Sequence, residues 1–280
     1  MPGRFRPRTI KEWQRALSKA LLPLVPNAPK EVLLLLKHHL GCDELYILTN
    51  PDKKVPKGEK LITLLKRRME NEPLEYITQK ADFYGREFFV DKRVLIPRPE
   101  TELLIDEVLK RVQKDQKLHF VEVGIGSGII SITLALCLPY ATFVATDISQ
   151  DALVVAKENI QRYNLQNRIT LKHTNVLDGV DENIDYLISN PPYIQEGFAL
   201  ESNLSYEPQN ALFGGTKGDE IIKELINQTL KKKIKFFTCE IGYDQKDTIA
   251  DYIEKTDAQI AFYKDYAGFD RGFSLELEKC

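Results

Sequence analysis

Residues 120–128 read Phe-Val-Glu-Val-Gly-Ile-Gly-Ser-Gly, and the apolar run Ile-Ile-Ser-Ile-Thr-Leu-Ala-Leu follows them. This order is typical of a buried strand, a tight turn and a helix, because glycine permits positive φ and lets a ligand approach the backbone closely. A dinucleotide-binding turn would place its third glycine three residues after the second, where this chain has Ile129. The third glycine is Gly128 instead, so the spacing disfavours a pyrophosphate site.

The next predicted strand, residues 142–147, ends in a carboxylate. Its last residue is Asp147, whose oxygens could accept hydrogen bonds from both hydroxyls of a ribose. Ser149 then begins a helix with Asp151 in its first turn, which is a favourable cap and a favourable charge at a helix N-terminus. Ligands of open α/β sheets bind at the carboxyl ends of the strands, so the glycine turn and Asp147 together predict a nucleoside site.

A third strand end carries an amide. Residues 187–193 read Leu-Ile-Ser-Asn-Pro-Pro-Tyr, and the two prolines stop the strand because they fix φ and have no N–H group. The Asn190 side chain and the Pro191 carbonyl can both accept hydrogen bonds, so they form a socket for a planar NH2 group on which Tyr193 can stack. Alone, the segment could be an ordinary strand-ending turn. With the glycine turn and the ribose acid, it predicts an S-adenosylmethionine-dependent methyltransferase that acts on an NH2 group.

Strands and helices alternate from Pro99 onward, which predicts a mostly parallel sheet. We expect strands near 118–123, 142–147, 168–173, 184–190, 234–240, 258–264 and 272–278, and helices near 100–114, 127–138, 150–163, 218–231 and 243–255. The link 267–272 is too short for a helical crossover, so the last strand should run antiparallel. The expected fold class is α/β, with a seven-stranded Rossmann-like methyltransferase sheet.

The first 72 residues read as a small helical domain. Thr9 could cap a helix with a buried stripe at helical spacing, a second apolar helix covers 31–39 and ends at Gly41, and a third covers about 57–71. Residues 74–97 alternate like strands, at Phe83, at 88–90 and at 94–96, and predict a β-hairpin linker. The expected domains are therefore residues 1–72, a linker at 73–98 and a methyltransferase domain at 99–280.

Several further motifs carry a family resemblance. These motifs are Glu72-Pro-Leu-Glu-Tyr-Ile77, Phe83-Tyr-Gly85, Ile96-Pro-Arg-Pro-Glu-Thr-Glu102, the glycine turn, Asp147-Ile-Ser149, Asn190-Pro-Pro-Tyr-Ile194, Glu207-Pro208, Ala211-Leu-Phe-Gly-Gly215, Glu240-Ile-Gly242 and Ala267-Gly-Phe-Asp-Arg271. The chain resembles the bacterial and organellar release-factor glutamine N5-methyltransferases from about residue 70 to its end. The resemblance implies a cytoplasmic enzyme that uses S-adenosylmethionine to methylate the glutamine of the Gly-Gly-Gln loop in peptide chain release factors.

Each part of the expected site rests on the motifs or on the resemblance. The expected catalytic residues are Asn190, Pro191 and Tyr193. The first two come from the amide motif, while the packing of Tyr193 against the substrate amide is implied by the family. The expected substrate-binding set is Asn190, Pro191, Pro192 and Tyr193. The expected cofactor-binding set is Gly124, Ile125, Gly126, Ser127, Gly128, Asp147, Ile148, Asn175, Val176, Asn190, Phe83 and Thr101, of which Phe83 and Thr101 come from the resemblance.

Two positions depart from the family pattern. Glu122 stands before the first glycine where the family usually has aspartate, and Asn175-Val176 stands where an acidic residue often meets the adenine amine. We also expect Glu240 and Arg271 to form a structural ion pair outside the site.

Composition limits the remaining possibilities. The 280 residues suggest two domains, the 43% apolar content supports a real core, and no apolar run is long enough to span a membrane. The N-terminus lacks the apolar segment of a secretory signal. The four cysteines and four histidines are scattered, which predicts reduced thiols and no metal site.

Charge is unevenly distributed. Residues 1–75 have a net charge of +6 and the remainder has −8, within a total of −2. The basic part could meet an acidic partner protein or could be a solvated helical surface. An acidic catalytic part argues against methylation of adenine or guanine in nucleic acid, which would use the same amide socket. The substrate could also be a glutamine of a ribosomal protein. A non-catalytic adaptor should have lost part of the predicted site, and no part of it is missing.

Overall fold

The computed structural model describes residues 8–180, 183–200, 202–254, 256 and 258–277. The chain divides into two compact units, one that ends at Gln79 and one that begins at Lys80. The segment 73–98, expected as a linker, is therefore shared between the two units. No helix in the described part of the chain is both long and apolar enough to span a bilayer.

The N-terminal unit is helical. Its helices within the described residues are α1 (Ile10–Leu21), α2 (Ala28–Leu40), α3 (Glu44–Thr49), α4 (Gly58–Met69) and α5 (Leu74–Thr78). Thr9 caps α1 in a reciprocal arrangement with Glu12, and Gly41 ends α2 in the left-handed conformation, as the sequence predicts. The apolar stripes of these helices share one core, so the unit has a hydrophobic core of its own.

The prediction of extended structure at 74–78 is wrong, because these residues form α5. The N–H groups of Tyr76 and Ile77 both donate to the Pro73 carbonyl, at 3.1 Å each. Proline favours the start of a helix, since its φ is already helical and its missing N–H has no partner there in any case.

The second unit opens with a hairpin of β1 (Ala81–Phe83) and β2 (Arg86–Phe88), which confirms a β-hairpin in this part of the chain. The predicted strand at 94–96 is wrong, because these residues join neither of the two sheets formed by the described residues. The Ile96 N–H donates instead to the Glu207 side chain, at 3.0 Å. Val94 and Ile96 are buried, so the alternation at 94–96 reflects burial and not a sheet ladder.

The predicted seven-stranded sheet is confirmed for the described residues. Its strands are β3 (His119–Val123), β4 (Thr142–Asp147), β5 (Ile169–His173), β6 (Tyr186–Ser189), β7 (Phe236–Glu240), β8 (Ala258–Lys264) and β9 (Asp270–Leu277), in the order β5-β4-β3-β6-β7-β9-β8. Strand β9 is antiparallel to both of its neighbours, as the short link before it predicts. The helices that follow the hairpin are α6 (Thr101–Leu109), α7 (Ile129–Cys137), α8 (Gln150–Arg162), α9 (Glu220–Lys232) and α10 (Lys246–Ile253), with short 3-10 helices at Leu204–Tyr206 and Gln209–Ala211.

Neighbouring residues of β3 belong to two separate cores. Phe120 packs in the cluster that contains side chains of α6, α7 and α8, whereas Val121 packs in the cluster that contains side chains of α9 and α10. Successive side chains of a strand point to opposite faces, so the two groups of helices cover opposite faces of the sheet. The chain order reverses between β3 and β6, and a crevice at such a switch point is where ligands bind in this architecture.

Candidate active site

A cavity lies at the carboxyl ends of β3, β4 and β6. Its walls are formed by residues 93–98, Thr101, 122–127, Ile129, Ile130, 146–149, Ala152, 174–176, 189–192, Pro208, Asn210, Ala211 and Ile221. The three strand ends singled out by the sequence thus meet at one site.

The glycine turn forms one wall. Gly124 and Gly126 have φ values of 76° and 54°, a region that glycine enters without a steric penalty. The Gly124 N–H donates to the Thr146 carbonyl at 2.9 Å, and the buried Asn159 amide of α8 donates to the Ser127 carbonyl at 2.8 Å. The turn is therefore held by β4 on one side and by α8 on the other.

Asp147 lies at the end of β4, and its side chain is oriented by backbone N–H groups. Its Oδ2 accepts from Gly126 at 3.0 Å and its Oδ1 accepts from Ser149 at 2.8 Å. Burial raises the pKa of Asp147 and outweighs the opposing effect of these hydrogen bonds. Each carboxylate oxygen has a second lone pair, so the group can still accept from a ligand hydroxyl.

Glu122 is a second acid in the wall, and it is fully buried. Its Oε2 accepts from the Ser131 N–H at 2.9 Å and from the Ser131 hydroxyl, while its Oε1 has no hydrogen-bond partner among the described residues. Burial raises the pKa of Glu122 to about 8. A buried acid oxygen without a partner is costly unless a ligand completes it, and a cation or a donor group would do so.

Ile148, Asn175 and Val176 also line this cavity. Val176 has φ of 48°, which is rare for a β-branched residue and costs free energy. The Thr146 hydroxyl donates to the Val176 carbonyl at 2.9 Å, and this bond holds the strained residue in place.

Asn190 ends β6 beside the glycine turn, and its amide is held from behind. Its Nδ2 donates to the Thr101 hydroxyl at 3.0 Å, and that hydroxyl donates to Glu240 Oε2 at 2.7 Å. The Asn190 carbonyl oxygen Oδ1 is therefore left as the acceptor of this side chain. Burial raises the pKa of Glu240 to about 7.

Tyr193 lines a second cavity, which shares Asn190, Pro191 and Pro192 with the first. That cavity is lined by Leu95, Arg98, 190–194, Leu204, Ala211 and Leu212. The Tyr193 hydroxyl donates to Glu240 Oε1 at 3.4 Å. Burial raises the Tyr193 pKa well above its ordinary value, and the adjacent Glu240 adds to the effect, so Tyr193 is a neutral phenol.

Most of the predicted site residues line these two cavities, but Phe83 and Gly128 do not. Phe83 is buried in the core against Phe88, with ring centroids 6.3 Å apart, so its expected contact with the cofactor is corrected to a packing role. The aromatic side chain of Phe83 therefore packs against the other strand of the hairpin. Gly128 precedes α7 with φ of 88° and serves as the turn into that helix.

The expected ion pair between Glu240 and Arg271 is also wrong. Arg271 pairs with Asp265 at 2.9 Å, whereas Glu240 bonds to Thr101 and Tyr193. The sequence does not place Glu240 in the site, because its partner Thr101 is far away in the chain. The sequence does hold one indication of the contact between Thr101 and Glu240, since both residues belong to motifs of the family resemblance.

The loop that follows β6 depends on two further residues that the sequence reasoning missed. Gln245 donates to the carbonyls of Tyr193 and Gly218, at 3.1 and 3.0 Å, and accepts from the Gly242 N–H. Glu207 accepts from the Ile96 N–H and forms an ion pair with Arg98 at 2.6 Å. No local pattern marks Gln245, while Glu207 is part of a motif of the family resemblance.

Gly214 shows why the Gly-Gly pair follows the amide motif. A Cβ atom at Gly214 would lie 2.3 Å from the Pro192 carbonyl oxygen. The Gly214 N–H donates to the Ile194 carbonyl and the Ile194 N–H donates to the Leu212 carbonyl, at 2.9 Å each. The glycine therefore lets a second segment support the amide motif at close range.

These features fit the methyl donor expected from the sequence. S-adenosylmethionine combines a ribose diol with a cationic sulfonium and an ammonium group. Asp147 is placed to accept from the diol, and the unpartnered Glu122 oxygen suits a cation or an N–H donor. Apolar side chains of Ile125, Ile148 and Val176 line the same cavity. No group of three or more His, Cys, Asp or Glu in the described ranges could hold a metal ion.

Two family models match parts of this chain. Residues 9–78 match the family model "PrmC N-terminal domain" and residues 99–207 match "Methyltransferase small domain". In solved structures, the chain is similar in fold to a ribosomal protein L11 methylase from Lactobacillus delbrueckii subsp. bulgaricus. That likeness covers 68% of this chain and 84% of the other, with a TM-score of 0.50 and 23% identity, so it shows the fold alone.

Curated relatives identify the family. A release factor glutamine methyltransferase from Koribacter versatilis is 37% identical over 86% of this chain and 89% of its own length. A bifunctional methyltransferase from Rickettsia bellii is 36% identical over 80% of this chain, which spans 47% of that longer protein. The chain belongs to the release factor glutamine methyltransferase family, and it is an S-adenosylmethionine-dependent methyltransferase.

Proposed function

We propose that this enzyme transfers a methyl group to the side-chain amide nitrogen, N5, of the glutamine in the Gly-Gly-Gln motif of peptide chain release factors. The observation that carries the proposal is the Asn190 amide, whose Nδ2 is committed to Thr101 so that Oδ1 is the acceptor at the carboxyl end of β6. An acceptor oxygen in that position suits an incoming N–H group.

The chemistry of an amide explains why a socket of acceptors is needed. The nitrogen lone pair is delocalised into the carbonyl, and the N–H groups are too weakly acidic for a side chain to deprotonate before reaction. The motif 190–193 accordingly contains no histidine, lysine or carboxylate. Catalysis then depends on position and electrostatics.

In the proposed mechanism, Asn190 Oδ1 and the Pro191 carbonyl each accept one N–H of the substrate amide. This arrangement holds the nitrogen in line with the methyl group and stabilises the positive charge that grows on the nitrogen. S-adenosylmethionine supplies the methyl group from its sulfonium, and the sulfur keeps the bonding electron pair. The amide proton passes to solvent water after transfer, when the nitrogen has become acidic. Each hydrogen bond to the developing charge is worth about 2–4 kcal/mol.

The second cavity supports a glutamine as the substrate side chain. It adjoins Asn190 and is lined largely by apolar side chains, including Leu95, Leu204 and Leu212. A glutamine side chain has two methylene groups before its amide, and these fit an apolar channel. Tyr193 lines the same cavity, and its ring can pack against the flat amide.

Release factors are proposed as substrates because curated relatives bear that name. The alignments cover most of the length of those relatives. The reaction would take place in the cytoplasm, where translation terminates. The net charge of −8 on residues 76–280 supports a protein substrate over a nucleic acid.

The test is to incubate the full chain with isotopically labelled S-adenosylmethionine and purified release factor, and to locate the label by peptide mass spectrometry. We expect one methyl group on the glutamine of the Gly-Gly-Gln peptide. A release factor with asparagine at that position is the matched control and should stay unlabelled. Label on another residue, or label transferred only to a nucleic acid or a ribosomal protein, would overturn the proposal.

A further inference from the structure

Glu240 is a buried carboxylate next to the site, and the amide motif does not contain it. It ends β7, its residue is 1% exposed, and it does not line the cavity that holds Asn190. Its Oε2 accepts from the Thr101 hydroxyl at 2.7 Å, and Thr101 in turn accepts from Asn190 Nδ2 at 3.0 Å. Three side chains from α6, β7 and the end of β6 thus form one chain of hydrogen bonds.

We propose that Glu240 is a positioning residue that fixes, through Thr101, which end of the Asn190 amide faces the substrate. The inference rests on the proposed function, since it explains how the acceptor in the amide socket is presented.

The direction of the hydrogen bonds follows from what each group can do. A carboxylate can only accept, so the single hydroxyl proton of Thr101 is used on Glu240. The Thr101 oxygen can then only accept from its other neighbour, and the donor end of the Asn190 amide must point toward it. The acceptor end, Oδ1, is left for the substrate. Without the carboxylate, the Thr101 proton could point toward Asn190 and the amide could turn over.

The other oxygen of Glu240 contacts the tyrosine of the amide motif. It accepts from the Tyr193 hydroxyl at 3.4 Å. This contact is long for a hydrogen bond, so we assign the main effect to the Thr101 branch. One buried carboxylate therefore contacts both Thr101 and Tyr193.

The charge state of Glu240 decides whether the chain of bonds keeps its direction. Burial raises its pKa to about 7, and a protonated Glu240 could donate to Thr101 and release the constraint. The titratable and charged groups that face Glu240 are Arg271 from β9, Tyr263 from β8, Cys239 from β7, Tyr193 from the loop after β6, and Glu100 before α6. Arg271 is engaged by Asp265, so it does not neutralise Glu240 directly.

The first test compares Thr101→Val, which removes the hydroxyl, with Thr101→Ser, which keeps it. We expect kcat for release factor methylation to fall by more than about tenfold in T101V and to stay within about threefold of wild type in T101S. Glu240→Gln should also lower kcat, as T101V does. The control is Glu107→Gln on α6, which removes a carboxylate that lines neither cavity and pairs with Lys110 and Arg111. Thermal melting curves of each variant serve to check that it is folded.

A double-mutant cycle separates a relay from two independent effects. If Glu240 acts through Thr101, E240Q should cost much less in the T101V background than in wild type. Equal costs in the two backgrounds would overturn the proposal. The kcat profile of the wild type should also rise with pH through about 7, and this step should be absent in E240Q, whereas an unchanged step would contradict the role of the charge.

A spectroscopic measurement keeps the test independent of the substrate. The side-chain NH2 signal of Asn190 can be assigned in 15N-asparagine-labelled protein by its loss in Asn190→Asp. We expect E240Q and T101V to shift this signal and E107Q to leave it in place. If wild type fails to methylate release factor but the signal shifts, the proposed function fails and the relay stands. If methylation is normal and the signal does not respond, the relay fails alone.

Discussion

At the level of single residues, one side-chain oxygen carries most of the proposed chemistry. Asn190 Oδ1 is the acceptor left over after Thr101 has taken the donor end of the amide. Its value is greatest in the transition state, where the substrate nitrogen gains positive charge. We propose that binding of the cofactor uses other groups of the cavity wall, chiefly Asp147, Glu122 and the glycine turn.

Asn190→Ala should therefore nearly abolish methyl transfer and leave cofactor affinity within a few-fold of wild type. A loss of about 2–4 kcal/mol corresponds to roughly 30- to 1000-fold in kcat. The measurements are single-turnover methylation and calorimetric titration with the cofactor. A variant that keeps more than about a tenth of wild-type turnover would contradict the amide-socket mechanism.

Glu122 gives a prediction about stability. Because burial raises its pKa to about 8, the folded state keeps a proton that the unfolded state loses at about pH 4.3. The free energy of unfolding should therefore fall as pH rises from about 4.3 toward 8, because ionisation of Glu122 stabilises the unfolded state while burial keeps the carboxyl protonated in the folded state.

Glu122→Gln should remove this cost. The cofactor-free variant should melt several degrees above wild type at pH 8 and close to wild type at pH 5. Its affinity for the cofactor should be lower, because an amide cannot give up a proton to become the anion that suits a cationic ligand. Melting curves at the two pH values check the first part, and an equal shift at both would mean that ionisation is not the cause.

At the level of elements, the sheet was predictable and the connecting segments were not. The strands that bear the site are apolar runs that lead into Gly124, Asp147 and Asn190. Strands of a parallel sheet are buried on both faces, so a continuous apolar run of this length is typical of them. Residues 94–96 alternate in the same way, but the Ile96 N–H is satisfied by the Glu207 side chain. Ile96 and Glu207 are far apart in the chain, so their contact leaves no periodic pattern in the sequence. The contact between Thr101 and Glu240 could not be predicted for the same reason.

The support under the amide motif gives a prediction for one element. Gly214→Ala should displace the loop after β6, because the new Cβ would meet the Pro192 carbonyl oxygen. We expect a large loss of kcat with cofactor affinity largely retained, since the glycine turn and Asp147 lie on other strands. Gln195→Ala, with an exposed side chain in the same loop, is the control. Unchanged methylation by G214A would show that the loop can relax without moving the amide socket.

At the level of the whole molecule, the chain separates its charge between two units with separate cores. The sequence predicted the helical nature of the first unit and the α/β nature of the second. It misplaced α5, because a five-residue helix is too short to show the periodicity of a helix. The basic charge of the first unit suits an acidic partner protein, and deletion of the unit tests this role.

If the first unit docks the release factor, deletion of residues 1–79 should spare cofactor binding, because every expected cofactor residue lies beyond residue 80. Methylation of intact release factor should fall sharply, mainly through a higher KM. A short peptide with the Gly-Gly-Gln sequence should be an equally poor substrate for both forms. A folded, truncated enzyme with wild-type kcat/KM on intact release factor would mean that the basic charge is only a solvated surface.

Asn159 has a consequence for how the enzyme responds to its methyl donor. Its amide accepts from the Phe89 N–H at 2.8 Å and donates to the carbonyls of Phe89 and Ser127, at 2.9 and 2.8 Å. A ligand that restrains the glycine turn therefore also restrains the segment that leaves the hairpin, although Phe89 is not part of the cavity wall. Local opening at Phe89 should become rarer when the cofactor is bound, and its amide should exchange with deuterium more slowly. Asn159→Asp, which cannot donate to Ser127, should uncouple the two. In the wild type, the enzyme with bound cofactor would be the more rigid form. Binding of the methyl donor would thus reduce local opening at Phe89, outside the cavity wall.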